Sequence, residues 1–344
     1  SKGGTHMKGR LMNYGIRTLV GLASLALAFA SAEAAAPQYK WKIAHIRPAG
    51  TAIDKDVHAF ADRVAKESGG RIAIEVFPAS QLGDYTVVQE RVSLGAVEMQ
   101  VGPLGTTVDK RLNLPSAPYL AKDWKDARRL FSSDSQLSKK TVELLQKQGL
   151  QSIAGWPVYF GGIVLTKEPA SPGDPDVPKN IKIRVPPIKS FEVTAQALGF
   201  LATPIPWADT FTAMQSGIVN GAIGGGAEGY FANFRDLAKY YLAVNDHFEY
   251  WFLYINSALW SKLSDGDRKL LQTAAGEMEK QRWAVAEQDE QANEKRLSDA
   301  GIKVIKFKEQ ELQKMADKSR KVGWPTIKRD IGPEFFDQVT ADIK

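Results

Sequence analysis

The stretch Gly70-Arg71-Ile72-Ala73-Ile74-Glu75-Val76-Phe77-Pro78-Ala79-Ser80-Gln81-Leu82-Gly83 sets Ile72, Ile74 and Val76 at one parity and Arg71, Ala73, Glu75 and Phe77 at the other. Such alternation marks a β-strand with one well-buried face. On its N-terminal side lie a β-rich run at 40–46 (KWKIAHI) and a helical stretch at 52–67. On its C-terminal side come a helical stretch at 84–94, the run 97–102 (VEMQVG), and then irregular, proline-containing chain. Strand, helix, strand, helix, strand predicts a mostly parallel sheet covered by helices.

Beyond the Pro/Asp-rich stretch 168–180 (EPASPGDPDVPKN) the alternation starts again. IKIRV, a helix at 189–199, TPIP, a helix at 207–216, IVNGAI, a helix from about 229 and an aromatic β run at 248–256 follow one another. This predicts a second α/β domain. Residues 264–300 then run polar and helical without proline, opening on Ser264 and Asp267 in capping-box spacing and closing at Gly301. At 1.5 Å per residue that helix is about 55 Å long, so it must lie across both domains or protrude. Leu271, Ala274, Ala275, Met278 and Val285 form one apolar stripe, which favours lying across. The expected division is residues 38–160 for the first domain with later returns to it, 161–256 for the second, 264–300 for the spanning helix, and 301–344 for a strand (KVIKF, 303–307) and terminal helices.

The 344 residues are 44% hydrophobic and 24% charged, ordinary values for a soluble globular protein. Residues 1–7 read as a cloning remnant and 8–34 as a signal peptide: Lys8, Arg10 and Arg17 precede an apolar run at 18–30, and Ala30, Ala32, Ala34 and Ala36 offer cleavage sites. That run falls short of the roughly 20 residues a membrane-spanning helix needs. The expected destination is the Gram-negative periplasm. With no Cys there is neither a lipidation site nor a disulfide, so the core alone must hold the fold.

The net charge of +6 includes four Lys/Arg and one acidic residue within residues 1–34, leaving +3 for the rest, and no basic stripe interleaved with aromatics argues for nucleic acid. The four histidines, His6, His45, His58 and His247, lack a metal-binding spacing, so no metal or cofactor is expected. No Cys nucleophile, G-x-S-x-G elbow or coherent Ser/His/Asp set is present, so the chain is not expected to be an enzyme.

Several segments, in order across nearly all of the chain after the leader, resemble the TRAP (tripartite ATP-independent periplasmic) solute receptors, a dicarboxylate-receptor-like family. Residues 70–83 are similar to its "GRI-x-x-x-x-FPA-x-QLG" signature and are followed by Leu94-Gly95-Ala96-Val97-Glu98-Met99. Lys182-Ile183-Arg184-Val185-Pro186 and Ala197-Leu198-Gly199 come next. Thr212-Ala213-Met214-Gln215-Ser216-Gly217-Ile218-Val219-Asn220-Gly221 resembles the "AL-Q-x-G-VVDG" element, with Asn220 in place of the usual Asp, and Asn256, Trp260 and Leu263 match the segment before the long helix. The resemblance implies a two-domain periplasmic binding protein, type II-like, with crossing strands and a domain-spanning helix. It also implies closure over one small organic acid and a membrane permease partner driven by an ion gradient. The receptor itself is expected to be a monomer.

Arg184 ends the predicted strand IKIRV just before Pro186 and Pro187, and in open α/β sheets that end faces the ligand crevice. Its guanidinium can clamp a carboxylate through two parallel hydrogen bonds, and the family's carboxylate-binding arginine carries over to this position. Glu228, between Gly226 and Gly229, stands either as a helix N-terminal carboxylate or as a ligand contact; beside Arg184 it would suit a zwitterion, a hydroxy acid with a donor to offer or, at the extreme, an amine. Arg47, Asp84 and Tyr85 occupy loops that border the cleft in the family, and Tyr159, Phe160 and Trp207, with Trp156, are candidates for its apolar walls.

Many acid-binding relatives carry a second Arg near Phe160-Gly161-Gly162-Ile163. This chain does not, which favours a monocarboxylate, with an aromatic or branched apolar tail, over dicarboxylates and sialic-acid-like ligands. Gly224, Gly226 and Gly229 satisfy G-x-G-x-x-G, but a dinucleotide fingerprint should open its domain, and this one lies deep within the second. A binding protein of an ABC importer and a periplasmic enzyme are the remaining alternatives.

Overall fold

The computed structural model describes residues 36–341 and 343, so the expected remnant and signal peptide lie outside the described residues. The strands in chain order are β1 (Tyr39–Ala44), β2 (Ile72–Phe77), β3 (Met99–Gly102), β4 (Leu150–Phe160), β5 (Gly162–Leu165), β6 (Lys182–Val185), β7 (Leu201–Pro204), β8 (Gly221–Gly225), β9 (Tyr240–Leu242), β10 (Phe248–Asn256) and β11 (Lys303–Ile305). They make a five-stranded sheet, β2-β1-β3-β10-β4, and a six-stranded sheet, β11-β9-β5-β8-β6-β7.

The quoted strand behaves as its alternation requires. Ile72 is fully buried, Ile74 and Val76 pack against the same core, and Glu75 is exposed. β1 pairs in parallel with β2 and β3, as β6 does with β7 and β8, which is the outcome the repeated strand-helix alternation predicts. β10 runs antiparallel between β3 and β4, and β5 runs antiparallel between β8 and β9.

The chain crosses between the sheets at Gly161 and again through residues 243–247. This corrects the expected range 161–256 for the second half, because β10 hydrogen-bonds into the first sheet. A sequence pattern identifies a strand but not its neighbours, and non-local pairing settles which sheet receives it.

The long helix, Asp265–Asp299, is capped as its spacing predicts: the Ser264 hydroxyl accepts from Asp267 N at 3.0 Å. It packs on β4, on the helices Ala52–Glu67 and Ala227–Phe234, and on β11, and so touches both sheets. Of the expected stripe, Leu271, Ala274, Ala275 and Met278 are buried, but Val285 is 43% exposed. The covered face continues instead through Arg282 and Ala286, in steps of four from Met278.

Those polar helix residues have a task at the edge of the first sheet. β4 is an edge strand, whose outer N–H and C=O groups need partners. Glu279 accepts from Gly155 N at 2.9 Å, Arg282 donates to Pro157 O at 2.9 Å and Val158 O at 3.3 Å, and Glu290 accepts from Phe160 N at 2.5 Å. The helix thereby substitutes for a sixth strand, and an edge position tolerates Pro157, which has no N–H to give. Burial pushes the Glu290 carboxyl up to about 7, against the pull of the Phe160 N–H and the Trp124 indole.

Candidate functional site

A small cavity of about 20 Å³, room for about one water molecule, lies where carboxyl ends of parallel strands from the two sheets meet. Arg47 follows β1, Pro103 follows β3, Arg184 and Pro186 end β6, and Gly224 belongs to β8. This is the crevice position expected of open α/β sheets. Tyr159, Trp207 and Trp251 supply aromatic wall, and Tyr85, Phe191 and Glu249 complete much of the rest.

Arg184 is 1% exposed. On β6 its neighbours Ile183 and Val185 fill the core of the second sheet, and period-two alternation sends the arginine to the other face. Nε donates to Ile205 O at 2.8 Å and Nη1 to Ile223 O at 3.1 Å, while the guanidinium carbon lies 5.4 Å from the Trp207 ring centre. Nη2 has no hydrogen-bond acceptor, and no carboxylate oxygen lies within 4.0 Å of the group, among the described residues. Burial lowers its pKa, partly offset by Tyr85 and Tyr230. A guanidinium stays protonated even so, leaving a buried positive charge held only by carbonyl dipoles.

Arg47, on the facing wall, is equally buried but has a carboxylate for its charge, although its Nη1 has no hydrogen-bond partner. Nε donates to Glu228 Oε2 at 2.8 Å, Nη2 to the Tyr159 hydroxyl at 3.1 Å, and the guanidinium carbon sits 4.8 Å from Trp207 and 4.9 Å from Trp251. Burial opposes its charge, but Glu228 and Tyr159 outweigh that and raise its pKa. Arg47 and Glu228 come from opposite sheets, so their ion pair ties the two together. Asp84 does the same by capping the helix Trp207–Gln215, its Oδ1 accepting from Ala208 N at 3.0 Å.

Glu228 is therefore not beside Arg184. Its Oε2 is taken by Arg47 while its buried Oε1 has no hydrogen-bond partner, and it lines an outer groove of about 560 Å³ together with Lys55, Arg235 and Asp289. Of the other residues singled out in the sequence, Arg47, Tyr85, Tyr159 and Trp207 come together with Arg184, whereas Asp84 acts at the helix cap and Phe160 is elsewhere. Phe160 follows Tyr159 on one strand and so faces the opposite side, packing edge-on to Trp124 and Phe248. Trp156 stacks under the Arg282 guanidinium at 4.2 Å, away from the cavity.

Glu249 and Trp251, which line the cavity, were not singled out in the sequence, nor were His247 and Asp246 as their support. His247 donates from Nδ1 to Asp246 at 2.7 Å and from Nε2 to Glu249 at 2.8 Å, and Glu249 also accepts from the Trp251 indole at 2.5 Å. Burial disfavours the imidazolium, yet Asp246 and Glu249 overcome it and push His247 up to about 10. An acidic residue inside an otherwise apolar strand, FEYWFLYIN, was the available signal.

The glycine loop has a packing explanation. Gly224 has φ +86°, and a Cβ there would collide with the Pro186 ring; a Cβ on Gly226 would strike Tyr159, and one on Gly229 would strike Arg47. These glycines let the cavity walls close together, and nothing in their geometry is reserved for a phosphate.

Among the described residues no helix is long and apolar enough to cross a membrane. Residues 43–326 match the family described as bacterial extracellular solute-binding protein, family 7. The C4-dicarboxylate-binding periplasmic protein of Rhodobacter capsulatus is 24% identical over 330 residues, 94% of each chain. Among solved structures, a TRAP periplasmic solute-binding protein of Haemophilus influenzae with bound L-gulonate is 21% identical with a TM-score of 0.80, covering 88% of this chain and 99% of its own. One from Ralstonia eutropha with bound (S)-2-acetolactate is 24% identical with a TM-score of 0.78, covering 88% and 98%. The structural likeness bears out the fold and the matched residues bear out the resemblance, so the chain belongs to the bacterial extracellular solute-binding proteins of family 7, the solute receptors of TRAP transporters.

Proposed function

We propose that this receptor binds a small monocarboxylate in the cavity between its two sheets, with Arg184 as the carboxylate clamp, and delivers it to a TRAP membrane permease. One observation carries the reading: Arg184 is buried, charged and without an anionic partner, beside a cavity with aromatic walls. A bound carboxylate would supply the missing counter-ion and an acceptor for Nη2. The second buried arginine, Arg47, already has Glu228, which leaves one unmatched charge and supports one carboxylate on the ligand.

The cavity is too small for such a ligand as it stands, so its walls must part to admit one. The first sheet with its helices and the second sheet with its own would act as two domains hinged at Gly161 and residues 243–247. Arg47–Glu228 and Asp84–Ala208 would break on opening and re-form on closure. The protein would act as an exported monomer without catalysis. Because Glu228 is engaged by Arg47, an amine held by Glu228 is not favoured.

The test is a thermal-shift screen of organic acids, followed by calorimetry on the wild type and on Arg184→Ala. The expected result is stabilisation by a monocarboxylate that is recovered unchanged, with affinity at least 100-fold weaker in the variant. Equal affinity in Arg184→Ala, or turnover of the acid, would sink the proposal.

A further inference from the structure

Behind the Arg184 cavity lies a second chamber, of about 30 Å³. The two share Pro103, Ile188, Phe191 and Glu249 as common wall. The inner chamber is otherwise mostly apolar, with Leu104, Leu112, Pro115, Phe248 and Phe252 around it. Glu249 is thus the charged group at the junction, and it is 8% exposed.

The partners of Glu249 fix how it can be used. Its Oε2 accepts from His247 Nε2 at 2.8 Å and its Oε1 from the Trp251 indole at 2.5 Å. An indole N–H only donates, and His247, with Asp246 on its other nitrogen, is held in the doubly protonated form that also only donates. Each carboxyl oxygen keeps a further lone pair for a third party. Whatever meets Glu249 from the cavities must therefore donate a hydrogen bond. An oxo group would set two acceptors face to face, and a second carboxylate would add like-charge repulsion at a buried site.

We propose that the ligand carries, besides the carboxylate taken by Arg184, a hydroxyl or ammonium donor received by Glu249, and an apolar remainder seated in the inner chamber. This rests on the carboxylate reading of Arg184 and narrows it to hydroxy- or amino-monocarboxylates with a hydrocarbon tail. A site built to receive a donor discriminates strongly, because the analogue lacking it leaves a buried acceptor unpaired.

The experiment is calorimetry on the wild-type protein with five- and six-carbon monocarboxylates of matched skeleton, bearing a hydroxyl, amino or oxo group at position 2 or 3, or none. The expected result is that one hydroxy or amino acid binds at least tenfold more tightly than its oxo and unsubstituted counterparts, the stronger arm telling hydroxyl from ammonium. In Glu249→Gln, whose amide can donate as well as accept, the preference over the oxo acid should shrink. Should that variant fail to fold, the wild-type series decides alone. Acid binding that is lost in Arg184→Ala but shows no preference for a donor overturns this inference and leaves the carboxylate reading intact. Tighter binding of a dicarboxylate overturns it as well, and no acid binding at all overturns both.

Discussion

Two arginines face the same cavity from different sheets, and the fold treats them in opposite ways. Arg47 has a carboxylate, a hydroxyl and two indole faces around it, and its pKa is raised. Arg184 has two backbone carbonyls and one indole, and its pKa is lowered. A buried charge is costly unless paired, so the arginine that has its own carboxylate is structural, and the arginine without one is where an external anion gains most.

The largest expected effect comes from breaking the matched wall. Glu228→Ala leaves the Arg47 charge buried and alone, and urea denaturation should show a loss of about 3–5 kcal/mol. A loss below about 1 kcal/mol would mean that Arg47 needs no partner and that the contrast between the walls is false.

Next is a pH effect through His247, which stands between Asp246 and Glu249. Its pKa is raised from 6.5 to about 10 on folding, so the stability it contributes is complete below about pH 6.5 and lost as pH rises through 10. The slope should approach about 1.4 kcal/mol per pH unit within that window. Denaturation curves between pH 6 and 10 should show the decline, and His247→Gln should flatten it even if that variant is weaker throughout.

Arg184→Lys sharpens the comparison from the other side. It keeps the charge but loses the planar fork, and affinity for the acid should fall about ten- to hundredfold in calorimetry. Full retention would reduce Arg184 to a point charge.

Asp84→Ala removes a second tie between the halves. A lost helix cap costs about 1 kcal/mol, and the same titration should detect it. Arg71→Ala is the smallest: its pair with Asp267 has the arginine half exposed and screened by solvent, and the denaturation midpoint should barely move. Setting it beside Glu228→Ala separates burial from mere ion pairing.

The sequence made the helices and the parallel strands legible, since 52–67, 72–77 and the long helix each carry a strong period or a cap. β4 and β5 escaped because Gly155, Pro157, Gly161 and Gly162 punctuate QSIAGWPVYFGGIVL where a strand pattern would be sought. All three glycines are there for close approach: a Cβ at Gly155 would strike Tyr250, one at Gly161 His247 and one at Gly162 Tyr241. That requirement is tertiary and leaves no local trace.

The placement of Arg184 at the crevice was legible because its strand end and its prolines coincide. The pairing of Arg47 with Glu228 spans 181 residues of chain, and no local pattern reports it. Glu249 was visible as an acidic residue in an aromatic strand, but its meaning depends on His247 and Trp251 fixing it as an acceptor, which only the packed site reveals.

The most direct test of the account is a crystal structure of the protein with the acid that most raises its melting temperature. The account predicts both carboxylate oxygens within hydrogen-bond distance of the Arg184 guanidinium, with Nη2 engaged, while Arg47 stays on Glu228. A carboxylate seated on Arg47, with Glu228 displaced and Arg184 still bound only to Ile205 and Ile223, would contradict it.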